Sequence, residues 1–105
     1  MAQFKVYRNP KRNQRPHIPY LLDVQTPTLE SLPTRLVAPL VLGQAFPAQL
    51  LPRLHPAFQI ERQRVVMSTA EIGAVAVRDL REEVADLAAQ RDEIMAAVDL
   101  LFIGY

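Results

Sequence analysis

Arg8, Lys11, Arg12 and Arg15 place four positive charges within eight residues, a density that attracts the phosphates of a nucleic acid or the carboxylates of an acidic protein segment. No aromatic side chain is interleaved with them to stack on bases, and the net charge of the whole chain is only +1. An acidic protein segment is at least as good a match, and direct nucleic-acid binding is not expected except within a complex with a protein partner. His17 and His55 each stand close to a proline, and no cysteine or carboxylate pair lies near them at ligand spacing, whereas a zinc site takes three or four donors. Neither a metal nor a cofactor is expected. Gly43, Gly73 and Gly104 are isolated, so the chain has no phosphate-cradling loop, no G-x-S-x-G elbow and no H-E-x-x-H helix. Glu82, Glu83, Asp86, Asp92, Glu93 and Asp99 could supply a carboxylate pair, but helical periodicity puts most of them on a wet flank. No catalytic residue is assigned.

What remains is contact chemistry. Phe102-Ile103-Gly104-Tyr105 closes the sequence on large apolar side chains, where a helix that only packed on a core would fray into polar ones. Gly104 is positioned to end the helix, leaving Tyr105 beyond the cap as an amphipathic anchor for a partner. Phe102 continues the packing stripe, so spacing alone leaves the tail open to either core or contact duty.

The elements that carry these residues are strands first and a helix last. Gln3–Tyr7 alternates polar and apolar residues, as a half-buried strand does. The stretch from Arg8 to His17, with two prolines, three amides and four full charges, has nothing to bury and reads as an exposed loop. Tyr20–Gln25 is a second strand, and Thr26–Pro33 is a turn-rich connection. Thr34–Leu42 is apolar enough to lie deep, with a bulge or bend expected at Pro39, which has no N–H for a ladder. Gln44–Arg53 contains Pro47 and Pro52 and reads as an irregular packed connection with a short helical turn. Ala57–Glu61 and Arg64–Ser68 form a hairpin around Arg62-Gln63 without a turn glycine, and Ala74–Val77 adds a short strand.

Asp79 is then read as the N-cap of a long helix, with Glu82 at the capping-box position. Leu80, Val84, Leu87, Ile94, Val98, Leu101 and Phe102 fall on one face, and Arg91 is the only charge in that stripe. With 105 residues, half of them hydrophobic, the chain is expected to be a single domain over residues 1–105. Met1-Ala2 leads straight into alternating sequence without a signal-peptide pattern. A cytoplasmic protein without membrane segments is the expectation.

Taken together, these segments resemble the CcdB toxins of bacterial toxin–antitoxin modules, which poison DNA gyrase. The resemblance runs from end to end: QFKVY at Gln3–Tyr7, DVQ at Asp23–Gln25, R-x-V-x-P-L at Arg35–Leu40, M-S-T at Met67–Thr69, EEVADL at Glu82–Leu87 and L-x-F-x-G at Leu100–Gly104. It implies an α+β, mainly β fold, an SH3-like barrel of about five antiparallel strands with a long C-terminal helix, assembled as a homodimer and acting as a non-enzyme. It also implies that the helix end binds the gyrase A subunit. The matching positions are Asp99, Phe102, Ile103, Gly104 and Tyr105, with Thr28 and Leu29 in the connecting loop. The family motif at the tail is Trp-Gly-Ile, and here Ile103-Gly104-Tyr105 stands in its place. A CcdA-like antitoxin, disordered until it folds on the toxin, is implied as second partner, together with co-repression of the operon. Arg8, Lys11, Arg12 and Arg15 are the candidate antitoxin-binding residues. Two alternatives are an RNA-cleaving toxin of the MazF/Kid type, which shares the barrel and needs a general acid or base, and an antitoxin-binding remnant that poisons nothing.

Overall fold

The computed structural model describes residues 3–46 and 49–105; Pro47, part of the connection read as irregular, lies outside the described residues. Seven strands form one antiparallel sheet: β1 (Lys5–Arg8), β2 (Tyr20–Asp23), β3 (Thr34–Leu42), β4 (Ala57–Ile60), β5 (Gln63–Met67), β6 (Gly73–Ala76) and β7 (Glu83–Asp86). Among the described residues a single α-helix, α1 (Arg91–Ile103), follows them. The spatial order is β4-β5-β3-β2-β1-β7, with β6 also paired to β3. The sheet curls into a half-barrel, and the fold is α+β of the SH3-like kind.

β3 organises the sheet because it is long and apolar enough to serve three partners. One side runs along β2 from Tyr20↔Leu40 to Asp23↔Val37. The other side pairs its first half with β6 and its second half with β5. Pro39 sits where that second side changes partner. The expected bulge is absent from the β2 side, where the register passes through Leu21↔Pro39 unshifted. The reason follows from antiparallel alternation. Val24 N–H donates to Leu36 C=O at 3.0 Å, so residues 36, 38 and 40 face β2 with their backbone groups. Pro39 therefore turns its missing N–H to the other side, between the ends of β6 and β5, where its carbonyl accepts from Ser68 N–H at 2.9 Å.

The core lies on one face of the curled sheet. Val6, Tyr20, Leu22, Ala38, Leu40, Phe58, Ile60, Val65 and Met67 alternate along their strands into a single cluster, which Phe4, Leu87 and Ile94 close. Burying such side chains contributes roughly 1.5–3 kcal/mol each before entropy is counted. On the opposite face Arg35 and Asp23 are buried as an ion pair.

The helix begins eleven residues later than its apolar spacing suggests, with its N-cap at Gln90 instead of Asp79. Val77–Asp79 is a short 3-10 turn, Glu83–Asp86 is β7, and α1 starts only at Arg91, after a second 3-10 turn at Ala88–Gln90. Asp79 is not an N-cap and Glu82 closes no capping box. Glu-Glu-Val-Ala-Asp-Leu has good intrinsic helix propensity, but propensity is worth tenths of a kcal/mol per residue and yields to tertiary pairing. Here the outer edge of β1 supplies the competitor: Lys5↔Asp86, Val6↔Ala85 and Tyr7↔Glu83 pair, with an irregularity between Val6 and Tyr7. Lys5 Nζ reaches Glu83 Oε2 at 2.9 Å and Arg8 Nε reaches Glu82 Oε2 at 2.9 Å, so the acidic side chains answer cations on the neighbouring strand. Asp86 Oδ1 then accepts from Ala88 N–H at 2.8 Å and turns the chain toward α1.

The packing face of α1 is narrower than the stripe. Ile94 and Ala97 are buried, while Met95 and Val98 are partly covered against the core. Arg91, the one charge in the stripe, lays its guanidinium over the Phe4 ring at 5.9 Å from the centroid. Phe102 does not pack: it is 67 % exposed. No helix among the described residues is long and apolar enough to cross a membrane.

Candidate functional site

Two surfaces gather the residues with contact chemistry. The first is the end of α1. Gly104 adopts φ +83°, the left-handed conformation that costs a side-chain-bearing residue about 1 kcal/mol, and its N–H donates to Asp99 C=O at 3.2 Å and Leu100 C=O at 3.1 Å. That cap stops the helix and turns Tyr105 away from its axis. Ile103 is 58 % exposed and Tyr105 80 % exposed, so with Phe102 three large apolar side chains stand in water at one tip. Water around them is released only when a partner covers the tip. Asp99 is exposed one turn earlier.

Thr28 and Leu29 lie in the 3-10 turn Pro27–Leu29, where Thr26 Oγ1 accepts from Thr28 N–H at 3.4 Å and Leu29 C=O accepts from Gln25 Nε2 at 2.9 Å. Both are exposed. Among the described residues no hydrogen bond joins this turn to the helix end, and α1 packs chiefly on the Thr69–Glu71 turn and on its own lead-in.

The second surface is the basic loop between β1 and β2, which is ordered around a buried polar residue. Asn9, 1 % exposed, donates from Nδ2 to Ile18 C=O at 2.9 Å and to Gln14 Oε1 at 3.2 Å, and its Oδ1 accepts from Lys11 N–H at 3.0 Å. Arg12–Gln14 forms a 3-10 turn, and Arg15 Nε donates to Asn9 C=O at 2.6 Å. The loop thus does have something to bury, and Asn9 is what it buries. Lys11 and Arg12 remain exposed, and a cleft of about 350 Å3 brings Arg8, Arg12 and Arg15 together with Arg81, Asp79 and Glu82. Arg81 had no place in the sequence reading. Nothing local marks it, because only the β1–β7 pairing carries it across the chain to this loop.

Arg8 differs from the other three cations because its charge is already committed. Its Nη2 donates to Glu61 Oε2 at 3.0 Å while its Nε donates to Glu82, and its guanidinium lies 5.7 Å from the Tyr20 ring centroid. Tyr20 donates its hydroxyl to Glu61 Oε1 at 2.6 Å. Glu61 and Arg62 form the two-residue turn of the β4–β5 hairpin, one position earlier than the spacing suggested, with φ +50° and +66°. Non-glycine residues in this region store of order 1–3 kcal/mol each, and the Tyr20 and Arg8 bonds hold Glu61 there. Hydrogen bonds from Tyr20 and then Arg8 keep the Glu61 carboxyl below its usual range. Burial, followed by the bond to Glu61, pushes the Tyr20 hydroxyl up to about 12.

Neither histidine joins a catalytic or ligating group. His55 Nδ1 accepts from Leu51 N–H at 3.0 Å and its ring meets Phe46 edge-on at 4.7 Å, so it staples its own loop. His17 is exposed, and its carbonyl accepts from Leu42 N–H at 2.9 Å. Among the described residues no cluster of three or more metal-ligating side chains occurs.

The family model described as CcdB protein matches residues 3–104 of the 105.

Proposed function

This chain belongs to the CcdB family, the toxins of toxin–antitoxin modules that act on DNA gyrase, and we propose that it poisons gyrase through the exposed end of α1. The carrying observation is the tip itself: Phe102, Ile103 and Tyr105 stand in solvent around the Gly104 cap, an arrangement with no packing purpose within the chain. Their residue types suit the buried centre of an interface, where aromatic anchors supply most of the energy. Asp99, Thr28 and Leu29 are assigned to the same contact with the gyrase A subunit. The action is inhibition by binding, without catalysis, and it takes place in the cytoplasm. Two copies associate as a homodimer, so that two helix ends are presented at once and the second contact gains from the first.

The antitoxin is assigned to the Arg8–Arg15 loop. A disordered acidic segment meets Lys11, Arg12 and Arg15 there, and the resulting complex represses its own operon. Folding on binding costs the antitoxin entropy, which leaves it open to degradation whenever it is free.

Ile103 stands where the family motif has Trp. A Trp anchor can be worth 2 kcal/mol or more, so potency is expected to be reduced by roughly tenfold or more unless Tyr105 compensates. Expression in bacteria carrying wild-type or toxin-resistant gyrase tests the reading. Growth arrest with the wild-type enzyme and growth with the resistant one is expected; arrest in both removes gyrase as the target.

A further inference from the structure

Beside the cleft at the basic loop lies a second hollow of about 460 Å3, and Pro10 and Asp79 line both. The two adjoining hollows form a groove lined on one side by the loop, through Pro10 and Lys11, and on the other by β6 through Ala74, Val75 and Ala76. Among the described residues β6 pairs with β3 alone, which leaves its outer edge without a strand partner. Val77 N–H donates to Pro33 C=O at 2.9 Å, which fixes the alternation: Val75 and Gly73 bond to β3, and the backbone groups of Ala74 and Ala76 point outward. An edge of this kind is usually guarded by charge, proline or a bulge. Here its side chains are small and leave the main chain accessible.

The charge at the far end of the groove sets what can lie in it. Arg12, Arg15 and Arg81 contribute guanidinium groups with N–H donors left over after Arg15 Nε has bonded Asn9 C=O and Arg81 Nε has bonded Arg78 C=O. Glu82 is already answered by Arg8, which leaves Asp79 as the one carboxylate in the groove without an ion-pair partner among the described residues.

We propose that this groove binds an acidic peptide segment in extended conformation, adding it as a strand to the outer edge of β6 with its carboxylates against Lys11, Arg12, Arg15 and Arg81. Main-chain bonds to Ala74 and Ala76 give register, and the guanidinium groups give the preference for acidic sequence. Asp79, where the two hollows meet, favours a neutral or basic residue at that one position of the peptide. This deepens the antitoxin assignment and rests on it for the natural source of the segment. The groove adds the conformation in which that segment is held and the cation, Arg81, that completes the site.

Fluorescence anisotropy of a short labelled peptide alternating Glu with Val or Thr, titrated with the full chain, tests it. Expected are binding that weakens with salt and a loss of about tenfold or more in the Arg12→Glu/Arg81→Glu double variant. The same peptide with alternate amides N-methylated, which needs no change to the protein, should lose affinity as well. Equal binding of the methylated peptide or of a Lys-for-Glu peptide overturns the proposal. Self-association through β6 with no peptide bound also overturns it. Gyrase inhibition by the unmodified chain, measured in parallel, separates the readings: inhibition without peptide binding removes the groove and leaves the helix end standing.

Discussion

Arg35 and Asp23 face each other from β3 and β2 with 2 % and 0 % of their side chains exposed, joined by Nε to Oδ2 at 2.8 Å and Nη2 to Oδ1 at 3.3 Å. Nη2 also donates to Gln25 C=O at 3.4 Å, and Asp23 Oδ1 accepts from Gln25 N–H at 2.9 Å, so the pair closes the chain's exit from β2. Removing one member strands a buried charge. Arg35→Met is expected to cost about 3–5 kcal/mol in urea unfolding, whereas Asp23→Leu with Arg35→Met together should recover much of that loss. A single variant that unfolds at the wild-type midpoint would show that water reaches the site.

The Tyr20–Glu61 bond predicts two pH limits of opposite sign. Glu61 has a folded pKa held below its unfolded value, so its contribution is present above the unfolded pKa and is lost as pH falls through the folded one. Tyr20 is raised from 10.0 to about 12, so its contribution is complete below pH 10 and is lost as pH rises toward 12. Thermal melts of Tyr20→Phe should therefore depend less steeply on pH than those of wild type at both limits, on acidification through the Glu61 range and on alkalinisation from pH 10 to about 12.

At the helix tip, Phe102→Ala and Tyr105→Ala are expected to change stability by less than about 0.5 kcal/mol, because neither side chain is packed. Each should weaken inhibition of gyrase supercoiling by about tenfold or more. Ile103→Trp should strengthen it. Loss of inhibition only in variants that also lower the melting temperature would assign the tip to the core instead.

Gly104→Ala separates aim from contact. A Cβ at this position meets nothing within 4 Å, so the cost is the positive φ, about 1 kcal/mol. Because that strain is relieved by unwinding the cap, Tyr105 should lose its fixed direction. Weaker inhibition is expected with no surface removed, and backbone relaxation measurements at residues 103–105 would report the loosened end.

The strands from Lys5 to Met67 were legible by two signals: Lys5–Arg8 and Ala57–Ile60 alternate in polarity, whereas Tyr20–Asp23 and most of Thr34–Leu42 read as largely apolar runs and are covered on both faces. Glu82–Leu87 was not, since Val84 and Leu87 fall at helical spacing with Ile94 and Val98 while the cause of its strand, the open edge of β1, lies far away in sequence. Chemical shifts should settle the boundary in solution, with strand-like values at 83–86 and helical ones only from about residue 91. The tip was half legible. Gly104 announced the cap, but periodicity placed Phe102 on a stripe whose last member packed against the core is Val98. The basic loop was visible as charge, while the partners that shape it, Glu61 with Arg8 and Arg81 across the cleft, come from distant strands and leave no local signal.

The pairing of β1 with β7 also sets a timetable. β1 is synthesised before both of its neighbours, and the outer one is made only when Glu83–Asp86 emerge. Until then Lys5–Arg8 can join β2 but cannot be covered on its other edge, which leaves an unpaired strand exposed for the seconds that translation takes. The residues assigned to gyrase are made later still. A nascent chain therefore completes its sheet before it carries the helix tip, and a truncated product lacking the last turn of α1 would keep the same core without the exposed Phe102, Ile103 and Tyr105.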